Sequence, residues 1–258
     1  MKLLGEIYAY REMIASLVRK DLRGRYKGSV LGFLWTFLNP LLQLVVYTLV
    51  FSFIMRANIE KFYLFLFVAL VPWLFFSSCI STGAGVIIAE KNLVVKIHFP
   101  REVIPVYFVT SGFINMLYCF IVVIAVVIFS GIQINLTAFL FLPLIMAIEY
   151  ILALGICFIV SAVTVYFRDL QHIMGILAMA WQFLTPILYP ITIVPDNLMP
   201  VFMLNPMTPV INAYRDILYY GNIPQIFTLI HAAVFGIVIL IAGVLIFGKL
   251  KRRFAEVL

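Results

Sequence analysis

Charge is scarce in this chain. Only 11% of its residues are Asp, Glu, Lys or Arg and 65% are hydrophobic, where soluble domains carry about 25% charged residues. That balance excludes an ordinary soluble domain and points to a chain that crosses a membrane several times. Catalytic equipment is scarcer still. No G-x-x-x-x-G-K-[ST] loop occurs, so the chain does not cradle ATP phosphates by that route. His98, His172 and His231 are far apart, and no apolar run carries paired carboxylates. Cys79, Cys119 and Cys157 all sit inside apolar runs without metal-ligand spacing, which assigns them to buried packing. No metal or cofactor is therefore expected on this chain. The net charge of +7 does not imply nucleic acid, because the Lys and Arg residues flank apolar runs, as topology determinants do.

What is there is a series of long apolar runs. The spacing predicts spans over about 29–55, 62–89, 104–130, 136–167, 170–193 and 226–247. Asn39-Pro40 interrupts the first and predicts a kink, with Gln43 one turn later. Arg56, Asn58, Glu60 and Lys61 make a short loop. The second span holds Pro72-Trp73 and a small-residue stretch from Ser77 to Gly85 that permits close helix approach. Before the first span, Leu3, Ile7, Ile14, Val18 and Leu22 recur at helical spacing among charged residues. Residues 1–28 thus read as an amphipathic helix with a basic face, suited to a membrane surface. That charged stretch is too long for a cleavable signal. The segment 194–225 has five prolines (195, 200, 206, 209 and 224) yet is largely apolar. Val210, Ile211, Tyr214, Ile217 and Leu218 share one helical face; Asn212, Arg215, Asp216 and Tyr219 share the other. Two short helices dipping into the membrane fit this pattern better than a solvated loop.

Six spans put both termini on one side. Fifteen of the 18 Lys/Arg residues fall on that side: seven before the first span, Lys91, Lys96, Arg101, Arg168, and Lys249, Lys251, Arg252 and Arg253. Arg56, Lys61 and Arg215 fall opposite. The asymmetry makes both termini cytoplasmic.

The charged island at 90–102 lies on the same side. A mere turn would not need Leu93, Val94, Val95, Ile97 and Phe99. Leu93, Val94 and Ile97 fall on one side of a helix, Phe99 is a large anchor at its end, and Pro100 restarts the chain as the opening residue of a helix. The expectation is a short helix outside the bilayer, docking an apolar side either on the membrane surface or on another protein. Glu149 lies near the middle of the fourth span, where an ionisable group normally faces protein or water. Either a structural hydrogen bond or a transport role would account for it. Aromatic residues make up 16% of the chain. Trp73, Phe75, Phe76, Trp181, Phe183 and Tyr189 lie near proline breaks, where they could line a path on which sugars stack; lipid contact and packing are the ordinary alternatives.

Several stretches resemble the type-2 ABC transporter permeases that export polysaccharides. Leu31-Gly32-Phe33-Leu34-Trp35-Thr36-Phe37-Leu38-Asn39-Pro40-Leu41 resembles their first-span signature, and Phe99-Pro100-Arg101-Glu102 resembles the cytoplasmic loop after span 2. Tyr166-Phe167-Arg168-Asp169 and Thr185-Pro186-Ile187-Leu188-Tyr189-Pro190 are similar to the turn before span 5 and its end. Asn205-Pro206-Met207-Thr208-Pro209 with Tyr214-Arg215 resembles the external segment before span 6. The similarity covers nearly the whole chain in order. It implies an all-α, six-span, N-in/C-in transmembrane domain over 1–258 in the bacterial cytoplasmic membrane, paired with a second copy and with two separate ATPase subunits that hold ATP and Mg. It implies that residues 1–28 are an interface helix, with Arg23 and Arg25 toward the ATPase. It also implies that 90–102 is a coupling helix, through Lys91, Leu93, Val94, Ile97, Phe99, Pro100, Arg101 and Glu102. Residues 194–225 would form an external gate with Tyr214, Arg215 and Asp216. The implied cargo is a lipid-linked O-antigen, capsule or teichoic acid, with Trp73, Phe75, Phe76, Glu149, Trp181, Phe183 and Tyr189 along its path. Two other readings stand beside this one. One is a drug or lipid exporter of the same superfamily. The other is a membrane-embedded enzyme acting on lipid-linked sugars, for which only Glu149 and the Arg215-Asp216 pair offer catalytic groups.

Overall fold

The computed structural model describes residues 2–25, 27–55, 59–133 and 135–258, with the side chains of residues 2–4, 53 and 255 left aside. Arg56 and Asn58, assigned above to a charged loop, lie outside the described residues. Among the described residues every regular element is helical. Two helices, α1 (Lys2–Ala9) and α2 (Arg11–Gly24), precede a helical first span made of a short 3₁₀ turn, α3 (Trp35–Thr48) and a π-helical turn, Leu49–Ile54. Then follow α4 (Phe62–Ala84), α5 (Val86–Ala89), α6 (Lys91–Lys96), α7 (Val103–Phe129), α8 (Leu136–Phe139), α9 (Leu142–Tyr166) and α10 (Leu170–Phe183). The chain closes with α11 (Met199–Leu204), α12 (Met207–Arg215) and its π-helical extension Asp216–Tyr220, α13 (Ile226–Leu250) and α14 (Phe254–Val257).

Among the described residues five stretches are long and apolar enough to cross a membrane: Gly32–Ser52, Phe62–Ala84, Val103–Phe129, Leu136–Tyr166 and Ile226–Arg253. They match the first four and the last of the sequence-derived spans. The 170–193 run does not form one continuous helix. Its helix α10 is 14 residues long, or about 21 Å at 1.5 Å per residue, against a hydrocarbon core of about 30 Å. At Leu184 the chain leaves the helix, Pro186 follows, and the backbone runs through turns to a 3₁₀ turn at Ile191–Ile193. The amphipathic 1–28 segment likewise forms two helices divided at Tyr10, not one.

Helix α4 is the hub. It is apolar all round, as a helix enclosed on every side must be, and Leu64, Leu66, Val68, Ala69 and Leu70 are fully buried. It packs against α3, α7, α9, α10 and α12. Helix α13 lies at the edge along α9, with Val234, Val238, Ile241 and Leu245 turned outward. That pairing is close because both helices present glycine. A Cβ on Gly155 would stand 2.6 Å from the Leu240 backbone nitrogen, and one on Gly243 would run into the Gly155 carbonyl oxygen. Small residues let backbones approach in this way. The expected close approach in α4 also occurs: a Cβ on Gly83 would meet the Cys157 sulfur at 3.0 Å.

The molecule has two ends. At one, Lys20 pairs with Glu90 at 3.4 Å, Lys251 pairs with Glu102, and α14 packs on α6. At the other, Lys61 Nζ donates to the Ser130 carbonyl at 2.9 Å and Tyr219 donates to the Glu60 carbonyl. The basic residues of the first end belong to the set that the sequence places together.

Candidate functional site

The charged island forms at the first end. Helix α6 stops at Lys96, and Ile97 has extended backbone (φ −121°, ψ 136°). The predicted common face of Leu93, Val94 and Ile97 is therefore not realised. Val94 is buried, Leu93 is partly buried against the core, and Ile97 is 50% exposed beside Val95 at 52%. Phe99 is only 3% exposed. It is an anchor inside this chain, not an outward one, so a docking role for its ring is corrected. Pro100 heads a turn, accepting from the Val103 amide, and α7 begins three residues later. Glu102 is buried and ion-paired with Lys251; its other oxygen and the Arg101 Nε find no partner among the described residues. Sequence reasoning missed this seating on the C-terminal tail. Phe254 is fully buried, 5.5 Å edge-on to Phe247, and Tyr166 donates to the Leu250 carbonyl at 2.7 Å. What the island leaves outside is Lys91, Asn92, Val95, Lys96, Ile97 and His98.

Helix α2 lies along α7, with Leu17 and Val18 buried and Ile14 and Leu22 packed against the core. Its apolar face therefore meets protein. Arg25 turns inward. Its Nε binds Asp21 at 2.9 Å and its guanidinium reaches Ser111 Oγ at 3.4 Å, while Ser111 donates to Asp21. Arg23 stays exposed and, with Lys20, Lys27, Glu90 and Tyr107, borders a cleft of about 850 Å³.

The seven residues assigned to a path do not converge. Trp73 and Phe76 of α4 and Trp181 of α10 make one aromatic cluster, with centroids 5.7 Å and 5.3 Å apart. Phe75 packs on Phe113 instead, at 5.8 Å. Phe183 points outward. Tyr189 donates to the Phe183 carbonyl and packs edge-on to Phe202. Glu149 is fully buried and accepts from Tyr214 at 2.7 Å, which ties α9 to α12; its other oxygen has no partner among the described residues. Of the seven, Trp73 borders an open cleft of about 620 Å³ between α3 and α10, where Gln43, Tyr47, Ser77, Ser81 and Gln182 also lie. Gln182 reaches across it to the Tyr47 hydroxyl at 3.3 Å.

At the second end α12 buries Val210, Ile211, Tyr214, Ile217 and Leu218, the predicted apolar face. Arg215 departs from the pattern. Placed by sequence on the polar face, it is 2% exposed. Its guanidinium donates to the carbonyls of Phe65, Pro186, Ile187 and Tyr189 and stacks 3.6 Å from the Phe65 ring centroid. The unwound stretch after α10 leaves the Pro186, Ile187 and Tyr189 carbonyls without helical partners, and a fork of five donors suits them. Asn205 holds the same region: it accepts from Trp181 Nε1 at 2.9 Å and donates to Thr185 Oγ1 at 2.8 Å and to the Leu184 carbonyl at 3.0 Å. The Thr185-Pro186 break after an apolar helix marks where carbonyls come free, but it does not say which side chains meet them.

The sequence profile of ABC-2 type transporters matches residues 12–219. An O-antigen export system permease protein, RfbA, of Myxococcus xanthus is 37% identical over 258 residues, covering 99% of both chains. A protein of the same description from Klebsiella pneumoniae is 33% identical over 96% of this chain and 95% of its own. A polysialic acid transport protein, KpsM, of Escherichia coli is 26% identical over 91% of this chain and 92% of its own.

Proposed function

The chain belongs to the ABC-2 type transporter family, and from that premise we propose that it is the permease of an exporter carrying a lipid-linked polysaccharide, of O-antigen or capsule type, out across the bacterial cytoplasmic membrane. The observation that carries this reading is the near full-length likeness to O-antigen permeases in a chain without a phosphate-binding loop. It is a multi-pass membrane protein. Hydrolysis of ATP falls to a separate subunit, two per assembly, which holds the nucleotide and Mg.

Under this reading α10 and the turns after it make a sixth crossing, completed by protein and not by one helix. Both termini and the 90–102 island face the cytoplasm, and α11–α12 enter the membrane from outside as the gate segment, carrying Tyr214, Arg215 and Asp216. The cleft between α3 and α10 is open on one side in the single chain. A second copy closing it would give a polymer a continuous passage, with Trp73 at its wall. Movement of the ATPase subunits reaches the spans through the outer face of the island, Lys91, Val95 and Ile97, and through Arg23 on α2. From Glu102 it passes to Lys251 and the tail.

The test is co-purification with the ATPase encoded beside it, then reconstitution with the host's own lipid-linked glycan. Association and ATP-dependent glycan movement support the proposal. No ATPase association, or ATP-dependent movement of lipid or drug without glycan, overturns it; the second result makes the chain a lipid or drug exporter.

A further inference from the structure

A second cavity lies at the gate end, apart from the α3/α10 cleft. It measures about 440 Å³, within the range of sites that hold small ligands, and its largely apolar wall is interrupted by a group of polar side chains. Thr192, Asn212, Asp216, Asn222, Gln225 and Thr228 converge on it from the 3₁₀ turn Ile191–Ile193, α12, its π-helical extension, the loop after it and the start of α13. The backbone is shaped for this. The π-helical turn Asp216–Tyr220 ends at Gly221 in the left-handed region (φ 68°), and the Asn222 amide closes back on the Asp216 carbonyl at 2.7 Å. Such π turns are frequent at functional sites.

Among the described residues the side chains of Asn212, Asp216, Asn222 and Gln225 enter no hydrogen bond of the chain, while Arg215 in the floor directs four of its five donors to backbone carbonyls. The cavity thus offers three amides, a carboxylate and hydroxyls, with one positive charge already occupied. An acyl chain would leave these groups unpaired, at the usual cost of desolvating polar atoms. A phosphate would face Asp216 with no free cation beside it. A neutral, hydroxyl-rich ligand satisfies the set, because amides both donate and accept and a carboxylate accepts from paired hydroxyls.

We infer that this cavity binds a sugar residue of the exported glycan on the exit side, as a second saccharide site beside the gate segment. The inference rests on the reading of the chain as a glycan permease.

The test uses the full-length chain in nanodiscs and oligosaccharides released by mild acid from the host's own exported glycan, with maltotriose for comparison. Saturation-transfer NMR should show contact with the released oligosaccharides. Asn212→Ala combined with Asp216→Ala should lower that signal about tenfold, and Lys96→Ala, at the opposite end, should leave it unchanged. If the double variant does not elute as a single species, Asn222→Ala and Gln225→Ala on the exposed rim are read in its place, with a several-fold loss expected. Equal transfer to wild type and cavity variants, or none to wild type, overturns the site. Surface glycan in cells lacking the chain separates the two failures. If export depends on the chain and the variants still bind, only the cavity assignment falls. If export persists without the chain, the permease reading falls with it.

Discussion

Arg215 sits in the interior, and among the described residues no carboxylate is ion-paired with it. Its charge is spread over four backbone carbonyls and an aromatic face, which is enough to hold a guanidinium and too wide for an ammonium. Arg215→Lys should therefore destabilise the chain by on the order of 3 kcal/mol, because several buried carbonyls lose their donors together. Thermal unfolding in detergent measures this; a melting temperature equal to wild type would contradict it. Phe99 invites a parallel argument. Its burial predicts that Phe99→Ala costs about 3 kcal/mol in stability, as large-to-small core changes do. The exposed Ile97 should behave differently: Ile97→Ala should leave melting within about 0.5 kcal/mol of wild type, as surface changes do, yet lower ATPase co-purification severalfold. The reverse ranking would return the docking role to Phe99. Neither placement was legible in the sequence. A charge between apolar residues reads as outward-facing, and a phenylalanine in a charged island reads as an anchor for a partner. The atoms that hold Arg215 come from two distant places, the 186–189 stretch and Phe65, and the island rests on the C-terminal tail.

At the scale of elements the long helices were legible, because an apolar run of twenty or more residues has few other structures open to it. The fifth run was not. Its composition stays apolar through residue 193, so hydropathy alone does not mark where α10 stops. The stop is made by Thr185-Pro186 and by Asn205, which caps the freed groups from the break between α11 and α12. The two short helices α11 and α12 were readable from their prolines and from the face Val210-Ile211-Tyr214-Ile217-Leu218. The pairing of α9 with α13 was not, since Gly155 and Gly243 are ordinary glycines until the backbones meet. Gly155→Val should push α13 off α9, because the added side chain would have to enter the Leu240 backbone; overpacking of this kind costs about 1–3 kcal/mol. Loss of a disulfide between cysteines placed at facing outer positions of α9 and α13 would report the separation, and unchanged cross-linking would refute it.

Across the whole molecule the sequence carried most of the architecture and the family, while the geometry distributes the candidate residues among three places. These are the outer face of the island with Arg23, the α3/α10 cleft, and the polar cavity at the gate. The charge asymmetry predicts a cytoplasmic C-terminus, so a cysteine near Val257 should react with an impermeant maleimide only after the membrane is opened; labelling in intact cells would reverse the orientation. The native cysteines do not interfere, being buried. The central claim is that this chain moves a lipid-linked glycan outward. Its most direct test is to delete the chain from a host whose glycosyltransferases are intact and to quantify glycan on the cell surface and on lipid carrier inside. The account predicts that surface glycan disappears, that lipid-linked glycan accumulates inside, and that the wild-type chain restores both; surface glycan at the parental level in the deletion strain would contradict it.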